Sequence, residues 1–267
     1  MNAIETIPFS TGCEVITSHP CGLLAINKKA GRTSHPNKTP SKSEKPPMIR
    51  AKYNFADESY SWTNKDGSSQ TLYLINRLDS PTSGVILASF SKQVAILAKE
   101  QFKKKSVEKT YIAIVSGKIT QPSGIWTDKI SVQKFASFVR SNKAQNGASS
   151  RPASLKYSVV KRDENNANLT LLKLLPLTGL SHQLRVQCAM RNHAILGDAT
   201  YGNFALNKKM KNLFQTSRLF LHCLKTQLQF TLNGEFIKFC AEAPLPISHP
   251  VRPWILRVLV FRSSKIS

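Results

Sequence analysis

Short apolar runs separated by polar, turn-forming segments dominate the chain, and most of them repeat with the two-residue period of strands. Leu23-Leu24-Ala25-Ile26 reads as a strand that runs into the basic, glycine-flanked turn Lys28-Lys29-Ala30-Gly31 and on to Thr33-Ser34-His35-Pro36. Residues 37–70 open with a Lys-, Ser- and Pro-rich segment that has almost nothing to bury, which predicts a mobile insertion. Within it Tyr53 and Phe55, then Tyr60 and Trp62, are spaced as on one strand face, with a turn at Lys65-Asp66-Gly67. Core packing is the simpler use of these rings, and base stacking is the other. Ser91 then caps a helix with Val94, Leu97, Ala98 and Phe102 on one side, and Lys103-Lys104-Lys105 suit its negative end.

Strands follow at 109–117, at 169–175 up to Pro176, at 218–222 and at 227–232. Alternation puts Tyr111, Ala113 and Val115 on one face of the first, and Leu228, Phe230 and Leu232 on one face of the last. Ser181 is the expected cap of a second helix that begins at His182, which places Arg185 one turn in. The stretch 124–150 is ambiguous apart from a flexible-looking loop at 142–150, Gly197 to Gly202 is a tight turn, and Pro244-Leu245-Pro246 ends the regular pattern. Many strands, few helices and no regular strand-helix alternation predict an α+β fold built on a mixed, mainly antiparallel sheet with flanking helices. No glycine-rich phosphate loop, nucleotide fingerprint or internal repeat is present.

Charge narrows the function. The 267 residues carry 38 Lys+Arg against 15 Asp+Glu, a formal charge of +23. A small neutral substrate does not call for that excess, whereas a polyanion does, and the basic residues are spread along the chain rather than held in a tail. A folded surface facing nucleic acid is the reading this favours. No apolar run approaches the length of a bilayer span, and the start of the chain has no signal pattern, so the expected location is the cytoplasm. Five scattered cysteines without a Cys-x-x-Cys pair read as reduced thiols, with no metal site and no disulfide frame.

The chemistry centres on Asn76-Arg77-Leu78-Asp79-Ser80-Pro81-Thr82-Ser83-Gly84, a polar segment between the apolar runs 72–75 and 85–88. One reading is an ordinary Asp-Ser-Pro turn; the other is a loop that presents a carboxylate and a guanidinium. Lys28 and Lys29 are similarly open between a solvated turn and RNA contact.

Taken together the motifs resemble the RluA-type RNA pseudouridine synthases. Residues 76–84 are similar to that family's His-Arg-Leu-Asp-x-x-Thr-Ser-Gly, the strand Lys109-x-Tyr111-x-Ala113 to its second motif, and Pro176-x-Thr178-Gly179-x-Ser181-His182-Gln183-Leu184-Arg185-Val186 to its third, in the expected order. The resemblance implies a catalytic domain at 22–246 with a central RNA-binding cleft, preceded by an N-terminal extension (1–21) and followed by a tail (247–267). It implies conversion of uridine to pseudouridine in ribosomal or transfer RNA, by a monomer without cofactor or metal. Asp79 matches the catalytic aspartate, Tyr111 the active-site tyrosine against the target base, and Arg185 the basic residue that pairs with the aspartate. Arg77 matches the residue that fills the space of the flipped nucleotide. RNA contacts are expected from Arg77, Lys28, Lys29, Lys109, His182 and Arg218, although a structural role for His182 is the simpler one. Asn76, Leu180 and Gln187 stand where the family usually has His, Arg and often His. These departures motivate the alternative of a non-catalytic RNA-binding or RNA-folding protein. Asp198 reads as a turn residue rather than as the second carboxylate a hydrolase would need.

Overall fold

The computed structural model describes residues 3–38, 45–134, 139–143, 150–163 and 168–246. The chain divides into two compact units, Met1–Lys109 with Cys223–Pro244, and Thr110–His222 with Leu245–Ser267. Both are mainly antiparallel, as the alternating pattern predicts.

The first unit is built on β1 (Glu14–Ser18), β2 (Leu23–Lys28), β3 (Lys52–Asn54), β4 (Ser59–Thr63), β5 (Ser69–Leu74) and β6 (Ser83–Ser89), with β12 (Leu221–Leu232, from Cys223 on) and β13 (Glu235–Glu242). Its order is β3-β4-β5-β6-β12, with β13 on β12, β2 on β6 and β1 on β2. The run Gly84 to Ser89 is apolar or small throughout because β6 is buried along its whole length. At the edge β13 alternates from Phe236 on, with Ile237, Phe239 and Ala241 inward and Phe236, Lys238, Cys240 and Glu242 outward. Helix α1 (Lys92–Lys103) starts where expected: Ser91 accepts a hydrogen bond from the Val94 amide, and Val94, Ala95 and Ala98 are buried.

Order extends further than the sequence suggests. Residues 45–70, grouped above with a mobile insertion, hold β3, β4 and the start of β5, and Met48, Ile49 and Tyr60 are fully buried among them. The apolar content that composition masks sits at these three positions. The N-terminal extension also folds: β1 pairs with β2, and Ile7 and Cys13 are buried.

The second unit contains β7 (Glu108–Ser116, from Thr110 on), β8 (Ser123–Lys134), β9 (Val139–Lys143), β10 (Ser150–Arg162) and β11 (Leu169–Pro176) in the order β7-β11-β10-β8-β9. The ambiguous stretch thus becomes the β8–β9 pair, and of the loop expected at 142–150 residues 144–149 lie outside the described residues. Ala113 and Val115 enter a core with Trp126, Leu155, Tyr157, Leu172, Leu174, Leu184 and Cys188, and Tyr111 packs against it half-buried. That is the face predicted for β7. Helix α2 (Gln183–Ala189) and helix α3 (Phe204–Phe214) complete the unit. The strands expected at 218–222 and 227–232 are one strand, β12, from Leu221, because no Gly or Pro interrupts Cys223 to Thr226. Among the described residues no helix is long and apolar enough to cross a membrane, and no group of three or more His, Cys, Asp or Glu is placed to hold a metal ion.

Candidate active site

In the first unit the loop between β5 and β6 presents Asp79. Its backbone is fixed from four sides. Thr82 donates to the Asp79 carbonyl at 3.0 Å and closes the Ser80-Pro81 turn. Ser34, buried, accepts from the Leu78 amide at 3.1 Å and donates to the Leu78 carbonyl at 2.8 Å, so both peptide groups before Asp79 are anchored to the 33–36 segment. Asn76 accepts from the Leu87 amide at 2.7 Å, tying the loop's start to β6. The Ser80 carbonyl accepts from the Gly31 amide at 2.9 Å and from Lys28 Nζ at 3.1 Å. Gly84 ends the loop at φ +111°, where a Cβ would overlap the Cys223 carbonyl. The turn reading and the presenting-loop reading therefore describe the same nine residues.

Lys28 corrects an expectation. It is fully buried, and its ammonium donates to the carbonyls of Arg32 (2.7 Å), Ser80 (3.1 Å) and Lys29 (3.2 Å). It is an internal clamp between the 29–32 turn and the Asp79 loop, not an RNA contact. Lys29 is exposed. Arg77 is exposed beside Asp79 and donates from Nη1 to His35 Nε2 at 3.1 Å. Lys109 is half-buried with its ammonium 5.7 Å from the Phe102 ring centroid, and burial pulls its pKa down.

In the second unit α2 carries Arg185 inward. Its Nε and Nη2 donate to the two carboxylate oxygens of Asp198, both at 2.8 Å, and neither side chain is more than 5% exposed. Burial alone would raise the Asp198 carboxyl. The Arg185 bonds and charge, with the amides of Tyr201 and Thr200, outweigh it and hold the carboxyl below its usual range. A bidentate pair leaves the guanidinium plane one orientation. Tyr201 stacks on it, with the guanidinium carbon 5.1 Å from the ring centroid, and shares a 2.8 Å hydrogen bond with His182 Nδ1. Arg185 and His182 are thus brought together through Tyr201. Asp198 is both the turn residue expected and a partner the sequence reading did not assign.

The start of α2 differs from expectation. His182, not Ser181, holds the cap position, at φ 57° and without a side-chain cap bond. Gln183 organises the entry instead: its Oε1 accepts from Thr178 Oγ1 at 2.8 Å and from the Leu180 amide at 3.1 Å. Gln187 is buried, and its amide donates to Asp128 at 2.7 Å. Leu180 packs on a small apolar cluster of Ile130, Ala153 and Val186. Arg218 is half-buried, donates to the Leu219 carbonyl at 3.2 Å and the Pro246 carbonyl at 3.4 Å, and burial lowers its pKa to about 10.

Sequence reasoning missed Asp198, Ser34 and Tyr201. A signal existed for the first: Asp198 is the sole acidic residue from Asn168 to Gly234, in a strongly basic stretch. A lone carboxylate there is a natural partner for a buried cation. Ser34 and Tyr201 carried none, because their roles are backbone clamping and ring stacking.

Comparison with known proteins agrees with these motifs. Residues 22–190 match the family model described as RNA pseudouridylate synthase. The chain is 33% identical over 230 residues to the tRNA pseudouridine synthase C of Pasteurella multocida, covering 82% of this chain and 87% of that one. It is 32% identical over 177 residues to the ribosomal large subunit pseudouridine synthase C of Haemophilus influenzae, covering 64% of this chain and 51% of that longer protein. Human RNA Pseudouridylate Synthase Domain Containing 1 shares the fold, with a TM-score of 0.61, 17% identity, and coverage of 93% of this chain and 95% of that one. With more than half its length matched by the model, the chain belongs to the RluA-type family of RNA pseudouridine synthases.

Proposed function

We propose that this RNA pseudouridine synthase acts on uridine in transfer RNA, with Asp79 as its catalytic carboxylate. The observation that carries the role of Asp79 is the immobilisation of its loop by Ser34, Asn76 and Lys28, which fixes where one carboxylate is offered while leaving Asp79 half-exposed. In the reaction the bond from ribose to the uracil nitrogen N1 breaks and the base rejoins the ribose through C5, which gives up its proton while N1 gains one. The target nucleotide has to leave the stack for a side chain to reach the anomeric carbon. Asp79 acts at the ribose and Tyr111 lies against the flipped base. Arg185 takes the role of the basic residue that the family pairs with the aspartate, and Asp198 and Tyr201 hold it in one orientation. Arg77 occupies the space the nucleotide leaves, and Lys29, Lys109, His182 and Arg218 contribute RNA contacts.

The name of the Pasteurella multocida relative, of which 87% is covered, supports transfer RNA over ribosomal RNA. The working unit is residues 22–246, acting as a monomer in the cytoplasm, where the chain's free cysteines stay reduced. The test is direct. Asp79→Asn should abolish pseudouridine formation on bulk transfer RNA while RNA binding stays within a few-fold of the parent. Full activity in that variant would remove Asp79 from the mechanism. An unchanged pseudouridine map in cells lacking the protein, beside a defect in RNA assembly, would favour the non-catalytic alternative.

A further inference from the structure

Beside Arg77, in the first unit, lies an aromatic cluster for which the reaction described above has no use. His35 stacks on Tyr53 with centroids 5.2 Å apart and an interplanar angle of 16°. Phe55 meets both rings edge-on, at 6.0 and 5.0 Å, and Tyr53 meets buried Tyr60 at 4.8 Å. The cluster is anchored below and open above. Tyr60 is fully buried and donates to the Ser34 carbonyl at 2.9 Å, the residue that also clamps Leu78. Phe55, by contrast, is 37% exposed, one of the few large apolar side chains on the surface.

Two cations flank these rings. Lys38 Nζ lies 5.6 Å from the Phe55 centroid. Arg77 Nη1 lies 3.1 Å from His35 Nε2. Arginine can only donate, so Nε2 accepts, and His35 Nδ1 carries the proton it donates to the Pro36 carbonyl at 2.7 Å. His35 thus has one tautomer, and it holds Arg77 against the aromatic edge. The Glu58 carboxylate, which bears on Tyr53, is taken by Lys99 at 2.7 Å. Burial alone would raise the Glu58 pKa, but the Lys99 bond outweighs it and keeps the pair ionised.

Partly exposed rings between cations, with the Glu58 carboxylate neutralised, suit an unpaired base with its phosphates. We propose that His35, Tyr53 and Phe55, with Lys38 and Arg77, form a stacking platform for an unpaired nucleotide of the RNA next to the flipped uridine. The proposal rests on the reading that Asp79 addresses that uridine, since Arg77 links the two. Phe55 supplies the outer stacking face, Lys38 a phosphate contact, and His35 is a positioning residue for Arg77. The segment 45–63 is then an RNA-reading insertion carried on β3 and β4.

The test uses the full chain in an Asp79→Asn background, so that nothing is turned over. The probe is a fluorescein-labelled decauridylate, and a second oligomer carries one 2-aminopurine. Phe55→Leu should weaken decauridylate binding roughly 5- to 150-fold, the loss of one base-aromatic stack. Phe55→Trp should restore it. Because stacking carries no charge, the salt dependence of Phe55→Leu should match the parent, while Lys38→Ala should lower the slope by roughly 0.7. Binding to unmutated Phe55 should change 2-aminopurine fluorescence, a readout independent of any folding defect in the variants. Parent-like affinity in Phe55→Leu, failure of Phe55→Trp to restore it, an unchanged fluorescence, or equal preference for a duplex of the same length would each overturn the platform. The outcome is separable from the catalytic assignment. If Asp79→Asn alone abolishes pseudouridine and Phe55→Leu binds normally, only the platform falls. If Asp79→Asn stays active and Phe55→Leu loses affinity, only the catalytic assignment falls.

Discussion

Replacing Lys28 by methionine keeps the length of the side chain and removes the ammonium. The Arg32 carbonyl loses its 2.7 Å donor. The Ser80 carbonyl keeps the Gly31 amide at 2.9 Å, and the Lys29 carbonyl keeps the Arg32 amide at 3.3 Å, so those two are weakened rather than orphaned. An orphaned buried acceptor costs about 1–3 kcal/mol, and each charge-assisted bond lost adds up to about 1.5–3 kcal/mol. Against this, methionine no longer has to bury a charge, a penalty of several kcal/mol per ion. The net expectation is a destabilisation of about 3 kcal/mol, a large share of the roughly 5–15 kcal/mol that holds a domain folded.

Two assays separate this clamp from the RNA contact that the sequence left open. Urea unfolding should show a midpoint lowered with an unchanged m-value. RNA binding measured across salt concentrations should show the parent slope, because a fully buried ammonium neutralises no phosphate. Pseudouridine formation should fall, since the Ser80 carbonyl next to Asp79 loses one of its two donors. A variant with parent stability and a slope reduced by about 0.7–0.9 would refute the clamp and return Lys28 to the RNA surface.

Asp198→Asn should destabilise the protein by about 3–5 kcal/mol, read by urea unfolding, because it removes the negative charge that offsets the buried Arg185 guanidinium. The Asp198 carboxyl lies below its ordinary value of 3.8 when folded, so its contribution is complete above that value and is lost as pH falls through the lower, folded pKa. The acid limb of the stability profile should therefore flatten in the variant; an unchanged limb would contradict the assigned shift. A thiol reagent on native protein should modify exposed Cys240 first, as mass mapping would show. Cys188, wholly buried with its pKa pushed up to about 12, should react only on unfolding.

Local chemistry made much of the fold legible. The Ser91 cap, the face of β7 and the turn at Lys65-Asp66-Gly67 follow from spacing within a few residues. The β8–β9 pair did not, because apolar residues fall on both faces of β8: Trp126 and Ile130 are buried, but Ile125 is 59% exposed. The insertion was misread for the opposite reason. Its lysines and serines dominate the composition, whereas its order depends on three buried side chains, Met48, Ile49 and Tyr60, spread over thirteen positions. At the site, motif order singled out Asp79, Tyr111 and Arg185 as candidates. The clamp on Leu78 joins residues 44 apart, and a pairing at that separation leaves no periodic trace.

Net charge was the feature that first pointed to RNA, yet it assigns no single contact. Burial does that. Of the basic residues expected to touch RNA, Lys28 is withdrawn into the interior altogether. Lys109 and Arg218 are partly desolvated, and both have lowered pKa values for that reason. Arg77 and Lys29 remain exposed. Leu180 adds nothing to the electrostatic attraction, because it packs on Ile130, Ala153 and Val186 where the family usually carries a cation. Asn76 spends its side chain on the Leu87 amide, tying the start of its loop to β6. Gln187, the third departure from the family pattern, donates to Asp128, so all three have structural uses in this chain.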